Sequence, residues 1–135
     1  MKSIAVKKIT PILFAREVEP CIRFWTDRMG FQKTVEVPEG DKIGFVMLEK
    51  DGLELMYQSF ASVEKDNAAT AQLAAKGPTF LYIDVDDLSQ VQAATAGVEI
   101  AMAERSTFYG AKEFGVKDPA GHWIIFAQQG AAAQG

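Results

Sequence analysis

The sequence contains very few of the residues that bind transition metals or form disulfides. One histidine, His122, and one cysteine, Cys21, occur in the 135 residues. A single cysteine excludes an internal disulfide and suits a reducing compartment, so we expect a cytoplasmic protein. The beginning, MKSIAVKKIT, lacks the apolar stretch of a secretory signal peptide, which agrees with that expectation.

Long apolar runs and blocks of one charge are also missing. No stretch reaches the roughly 18 apolar residues of a membrane-spanning helix, so no membrane association is predicted. The net charge is −4, and acidic and basic residues are interspersed, which argues against nucleic-acid binding. The 48% hydrophobic and 24% charged composition is that of an ordinary globular protein.

The main feature that is present is a repeat of one element order. Residues 5–57 and 78–128 each read as a strand, a helix and three further strands. Residues 58–77 are polar and rich in alanine, which predicts a partly helical connector. Residues 129–135 are of low complexity and predict a frayed tail. The expected fold is α+β, with two βαβββ modules in a single domain over 1–135.

The individual elements are marked by local signals. The predicted strands cover 4–14, 31–37, 43–49, 53–57, 79–85, 98–103, 112–117 and 122–127. The first helix follows from apolar residues at helical spacing after Pro20 and ends at Gly30, and the second runs from Asp87 to Ala96 before Gly97. Each module is too small for a good core alone, so the modules must pack on each other or on a second chain.

Alternation along the strands separates two sheet faces. One set suits the face that the helices cover: Leu53, Leu55, Leu81, Ile83, Val85, Ile124 and Phe126. The opposite set is also apolar: Ile12, Phe14, Phe45, Met47, Met56, Phe80, Tyr82, Trp123 and Ile125, with the polar Thr10, Glu54 and Asp84. An apolar second face with sparse polar groups predicts a ligand cavity or a protein interface.

Two segments carry a family resemblance that extends over residues 5–128. The segments TPILFAREVEPCIRFWTDRMGF and DPAGHWIIFAQ, with the module order, resemble the vicinal oxygen chelate superfamily. This superfamily includes glyoxalase I, extradiol dioxygenases and bleomycin-resistance proteins. The resemblance implies a metal site made by one residue from each of four strands, at Thr10, Glu54, Phe80 and Ile125. Only Glu54 among these ligates a divalent metal well, so no metal and no cofactor are expected.

The resemblance is therefore greatest to the metal-free, bleomycin-resistance-like branch, whose members bind an aromatic, cationic drug at a dimer interface. It implies a homodimer, with domain swapping as an alternative arrangement, and a small aromatic or cationic ligand. Stacking surfaces would come from Phe45, Phe80, Tyr82, Tyr109 and Trp123, and negative charge from Glu54, Asp84 and Glu113. With Thr10, Met47, Met56 and Ile125, these residues form the predicted ligand-binding set.

Two other functions remain open from the sequence. In the first, the protein is a metal-independent lyase or isomerase in which Glu54 is a general base, its pKa raised by apolar neighbours. In the second, it is a non-catalytic interaction subunit whose apolar face is an oligomer interface. His122 follows Gly121 in a turn, and we expect it at the surface without a catalytic role.

Overall fold

The chain forms two four-stranded mixed sheets in a computed structural model that describes residues 3–130. Sheet A consists of β1 (Ile12–Ala15), β2 (Gln32–Glu39), β3 (Lys42–Lys50) and β4 (Leu53–Ser59), in the order β1-β4-β3-β2. Sheet B consists of β5 (Phe80–Asp84), β6 (Ile100–Ser106), β7 (Lys112–Lys117) and β8 (Trp123–Gln128), in the order β5-β8-β7-β6. In both sheets the first and last strands pair in parallel. The predicted α+β fold of two βαβββ modules is confirmed.

Short helices connect the strands. Helix α1 (Glu19–Arg23) has Pro20 in its first turn and continues as a π-helical segment, Phe24–Arg28. The connector forms α2 (Phe60–Asp66) and α3 (Ala68–Ala74), and α4 (Leu88–Ala94) follows β5. The glycines that were predicted to end the first and last helices, Gly30 and Gly97, adopt φ values of 75° and 85°, which favour glycine. None of the helices in residues 3–130 is long and apolar enough to cross a bilayer.

The first strand is shorter than the sequence predicts. It begins at Ile12 instead of residue 4, and residues 3–11 lie outside the ladder. Pro11 limits the extension because it has no backbone N–H, although its carbonyl accepts a hydrogen bond from Met56 at 2.9 Å. Most of the predicted tail, residues 131–135, lies outside the described residues.

The core joins both modules in one hydrophobic cluster. Its members include Leu13, Val18, Phe24, Trp25, Val46, Leu48, Leu55, Tyr57, Leu88, Phe114, Val116, Ile124 and Phe126. Of the residues predicted to face the helices, Leu81, Ile83 and Val85 are partly buried against this cluster. The prediction for Leu53 is wrong, because its side chain is 63% exposed beside the Asp51–Gly52 turn at the start of β4.

A buried polar network connects the modules within this core. The indole Nε1–H of Trp25 donates to the Tyr57 hydroxyl at 2.8 Å, and that hydroxyl donates to Oδ2 of Asp118 in the second module. Oδ1 of Asp118 accepts from the backbone N–H groups of Ala120 and His122 at 3.0 and 2.8 Å. Burial and the adjacent Asp118 raise the pKa of Tyr57, so its hydroxyl keeps its proton and remains a donor.

The expected surface position of His122 is wrong. The ring is only 4% exposed, and its Nδ1 accepts a hydrogen bond from the Thr79 N–H at 2.8 Å. Its Nε2 lies 2.7 Å from the carbonyl oxygen of Phe14, which makes Nε2 the protonated nitrogen. Both ring nitrogens therefore connect the start of β5 to β1 in the other sheet.

We predict that Tyr57→Phe destabilises the protein by about 1–3 kcal/mol, because it leaves the buried Trp25 and Asp118 groups without their shared partner. Denaturant unfolding monitored by circular dichroism measures the change. Ser106→Ala, which removes an exposed hydroxyl, serves as the control and is expected to change stability by less than about 0.5 kcal/mol. Equal stabilities of Tyr57→Phe and the parent protein would contradict this role.

Candidate functional site

Each sheet has one face in the core and one face, here called the open face, that carries the predicted site residues. On sheet A, Phe14, Phe45, Met47 and Met56 are half-buried, and Ile12 is 46% exposed. Cross-strand pairing of Ile12, Met56 and Met47 fixes them in one row. Val35 and Val37, which pair with Met47 and Phe45, extend this surface to β2. The open face of sheet A is thus a continuous apolar surface.

Glu54 lies at one end of this surface in an ion pair with Lys8. The Lys8 ammonium is 2.8 Å from its Oε1, and the Thr10 hydroxyl donates to the same oxygen at 3.2 Å. The hydrogen bond from Lys8 is the largest of the effects that hold the pKa of Glu54 below its usual value. The general-base alternative requires a raised pKa at Glu54, and the structure gives the opposite direction, because Lys8 offsets the apolar surroundings.

The open face of sheet B is aromatic and more exposed. Phe80 and Tyr82 on β5 are 64% and 52% exposed, and the half-buried Trp123 and Ile125 pair with them on β8. The rings of Phe80 and Trp123 are tilted, with centroids 5.3 Å apart. Asp84 lies at the end of β5, where its Oδ1 accepts from the Gln129 amide at 2.7 Å. The aromatic side chains Phe80, Tyr82 and Trp123 therefore lie next to one another on this face.

Glu113 is the polar centre of this second face. Its side chain is only 1% exposed, yet both of its oxygens have partners. Oε2 accepts from the hydroxyls of Tyr82 and Tyr109, the latter at 2.6 Å, and Oε1 accepts from Nε and Nη2 of Arg105 at 3.1 and 2.9 Å. Three side chains, from β5, β6 and the β6–β7 loop, thus meet at the Glu113 carboxylate on β7.

These hydrogen bonds determine the protonation of the cluster. Burial acts to raise the pKa of Glu113, but the donors Tyr109, Tyr82 and Arg105 together hold it below the usual value. Burial and the bond to Glu113 raise the pKa of Tyr82. At neutral pH the Glu113 carboxyl group is therefore ionised, and the Tyr82 hydroxyl keeps its proton.

The structure assembles the predicted residues into two groups, one on each sheet. Phe45, Met47, Glu54 and Met56 lie on sheet A, and Thr10 precedes β1 and bonds Glu54. Phe80, Tyr82, Asp84, Glu113, Trp123 and Ile125 lie on sheet B, with Tyr109 in its β6–β7 loop. Two crevices, of about 570 and 530 Å³, lie between the two modules, and Asp84 is the one predicted site residue that lines either of them.

Three side chains at these faces were missed as site residues. Lys8 approaches Glu54, Arg105 approaches Glu113, and Gln129 binds Asp84. The available signals were weak: Lys8 is two residues before Thr10, and Arg105 pairs with Glu113 only through the register of β6 and β7. That register contains irregularities between Ile100 and Arg105 that a single sequence does not reveal.

The lowered pKa of Glu113 predicts a specific acid sensitivity. A carboxyl group whose pKa is lower in the folded state stabilises the fold fully at pH values above its unfolded-state pKa, about 4.3 for Glu. This contribution to the free energy of unfolding is lost as the pH falls through the folded-state pKa. The stability difference between the parent and Glu113→Gln should therefore be largest near neutral pH and narrow at lower pH. Urea unfolding across this range measures it. Glu64→Gln, at an exposed site on α2, should remain within about 0.5 kcal/mol of the parent, and a constant Glu113→Gln difference would contradict the assignment.

Solved structures similar to this chain share its fold. A glyoxalase/bleomycin resistance protein/dioxygenase from Nocardioides superposes with a TM-score of 0.70 at 15% identity, covering 96% of this chain and 87% of that one. Lactoylglutathione lyase from Agrobacterium tumefaciens superposes with a TM-score of 0.72 at 14% identity, covering 93% of this chain and 95% of that one. A bleomycin resistance determinant encoded on the transposon Tn5 superposes with a TM-score of 0.67 at 17% identity, covering 92% of this chain and 98% of that one.

At these identities the structural similarity establishes the fold alone. No curated protein sequence matches the chain. A family model does match, and it spans residues 6–126, from the segment before β1 into β8. The chain therefore belongs to the Glyoxalase/Bleomycin resistance protein/Dioxygenase superfamily.

Proposed function

We propose that this protein binds a small aromatic molecule at the open faces of its sheets, without a metal ion, and that it does so as a homodimer. The observation that carries the proposal is the aromatic surface of sheet B, where Phe80, Tyr82 and Trp123 lie beside one another. Exposed aromatic rings on a sheet favour stacking with a planar ligand. The apolar open face of sheet A is a second surface on which such a ligand could be buried.

The chemistry of the side chains supports binding without a metal. At the four positions to which the family resemblance assigns metal ligands, Phe80 and Ile125 have no donor atom, and Thr10 is a weak ligand. Glu54 is the fourth, and its Oε1 is already paired with Lys8. Residues 3–130 contain no cluster of three or more His, Cys, Asp or Glu side chains that could hold a metal ion. These residues do not fit a metal centre.

Charge distribution favours the aromatic part of the ligand prediction over the cationic part. Two of the three carboxylates that were expected to attract a cation are paired with a cation of the same chain, Glu54 with Lys8 and Glu113 with Arg105. The third, Asp84, accepts a hydrogen bond from the neutral Gln129 amide. A cationic ligand would have to displace these partners. An aromatic ligand can bind by stacking without breaking either pair.

A general-base function of Glu54 has less support. A base is effective when its pKa lies near the working pH, whereas Lys8 and Thr10 lower that of Glu54. An interaction subunit without a ligand is the remaining alternative. A series of aromatic compounds that produced no thermal shift at millimolar concentration would favour that alternative.

For ligand binding, we predict that Phe80→Ala weakens the affinity for an aromatic ligand by about tenfold, because a stacked ring contributes on the order of 1 kcal/mol beyond its buried area. Ligands are first selected from an aromatic fragment library by NMR, and affinities are then measured by calorimetry. Leu73→Ala, at a 69% exposed site on α3, is the matched control and should leave affinity unchanged. Equal effects of the two substitutions would contradict a site on sheet B.

The proposal of a homodimer rests on strands that one chain leaves uncovered. Seven of the eight residues of β2 are exposed, so neither of its faces is buried by the same chain. The apolar Val35 and Val37 are 41% and 47% exposed, and Ile100 on the outer strand of sheet B is 62% exposed. Apolar strand surfaces of this kind are typical of protein interfaces. A second copy that covers them would also enclose the open faces as clefts.

For dimerisation, we predict that Val37→Asp shifts the protein from dimer toward monomer, because it introduces a charge into an apolar contact. Sedimentation velocity over a micromolar concentration series measures the shift. Thr34→Asp adds the same charge to the same strand at an exposed polar position and should leave the dimer intact. A parent protein that sediments with the mass of one chain at every concentration would refute the homodimer.

A further inference from the structure

Arg105 occupies an unusual position on the open face of sheet B. It lies on β6 directly opposite Glu113 on β7, so both side chains project from the same face. The carboxylate of Glu113 is buried, whereas the Arg105 side chain is 59% exposed. The ion pair therefore presents its cationic partner outward.

Arg105 has hydrogen-bond donors that Glu113 does not use. A guanidinium carries five N–H groups in a planar fork. Glu113 takes one from Nε and one from Nη2, both through Oε1. Among the described residues no side chain or backbone oxygen bonds Nη1, so the outer edge of Nη1 and Nη2 remains open. This edge has the geometry that binds a carboxylate, sulfonate or phosphate through two parallel hydrogen bonds.

The cluster behind Arg105 fixes the orientation of this edge. Glu113 cannot turn away, because its other oxygen accepts hydrogen bonds from Tyr82 and Tyr109. Those bonds also saturate the carboxylate, so it has little capacity left to attract a ligand cation. A guanidinium that is already oriented loses less conformational entropy when it binds an anion.

The side chains next to the Arg105–Glu113 pair are aromatic. Tyr82 and Tyr109 are 52% and 43% exposed, and each is linked to Arg105 through Glu113. Asp84 is the acidic group on the same strand as Tyr82, but it lies at the end of β5 and is bound to Gln129. We infer that Arg105 is an oxyanion-binding residue and that the ligand class is an aromatic acid. This inference rests on the proposed function and narrows its ligand.

Two fluorescent probes that differ in one group test the inference. Anilinonaphthalene sulfonate carries aromatic rings and a sulfonate, whereas phenylnaphthylamine has the same ring system without the anion. Titrations at neutral pH and low ionic strength give both affinities. We expect Arg105→Gln to weaken sulfonate binding by about tenfold or more, and to change phenylnaphthylamine binding by less than about twofold.

Arg105→Lys tests whether anion binding requires the planar guanidinium group or only a positive charge. The lysine keeps a positive charge beside Glu113 but has no planar edge, so we expect a sulfonate affinity several-fold below that of the parent. It also preserves a partner for the buried carboxylate, should Arg105→Gln fold poorly. Lys112→Gln is the charge control, because Lys112 is the exposed neighbour of Glu113 on β7 and points to the other face. Thermal unfolding verifies that each variant is folded.

The outcomes distinguish this inference from the proposed function. Loss of sulfonate binding in the Arg105 variants alone supports the oxyanion site. An equal loss for both probes, or the same loss in Lys112→Gln, overturns the inference, whereas binding of both probes by the parent protein still supports the proposed function. A parent protein that binds neither probe overturns the proposed function, and the inference with it.

Discussion

The arrangement of the two modules depends on the hydrogen bonds that cross the core from Tyr57 to Asp118. A carboxylate is stable inside a protein only when its oxygens are satisfied, and here the hydroxyl of Tyr57 and two backbone N–H groups serve that purpose. The groups come from distant parts of the sequence, so the network forms only when the modules dock in one orientation. His122 adds a second connection between the same sheets. This docking places both open faces outside the shared core.

Much of the fold could be predicted because it follows from local rules. Period-two alternation and the turn glycines located the strands, and the predicted bounds of β7, 112–117, are those found. The errors at Leu53 and His122 have a different origin. Burial of these side chains depends on which element packs beside them, and one sequence does not contain that information. The first strand was predicted from residue 4, but it begins only at Ile12, after Pro11, which has no backbone N–H to donate.

The sequence predicted which site residues share a sheet face, but it did not predict which charged side chains pair with Glu54 and Glu113. Alternation assigned Phe80, Tyr82 and Trp123 to one side of sheet B, since β strands repeat every second residue. The partners of Glu54 and Glu113 were missed, because Lys8 is 46 residues from Glu54 in the chain and Arg105 reaches Glu113 across a strand with irregular register. Because Lys8 and Arg105 pair with these carboxylates, a ligand would meet a neutral or basic surface at Glu54 and Glu113 instead of an acidic one.

The exposure of the outer strand β2 has a thermodynamic consequence for the proposed dimer. If clefts exist only where two copies meet, ligand binding and subunit association share one free-energy cycle, and each strengthens the other by the same factor. Occupancy then depends on the concentration of the protein as well as on that of the ligand. A dilute solution of this protein would respond to its ligand along a steeper curve than a concentrated one.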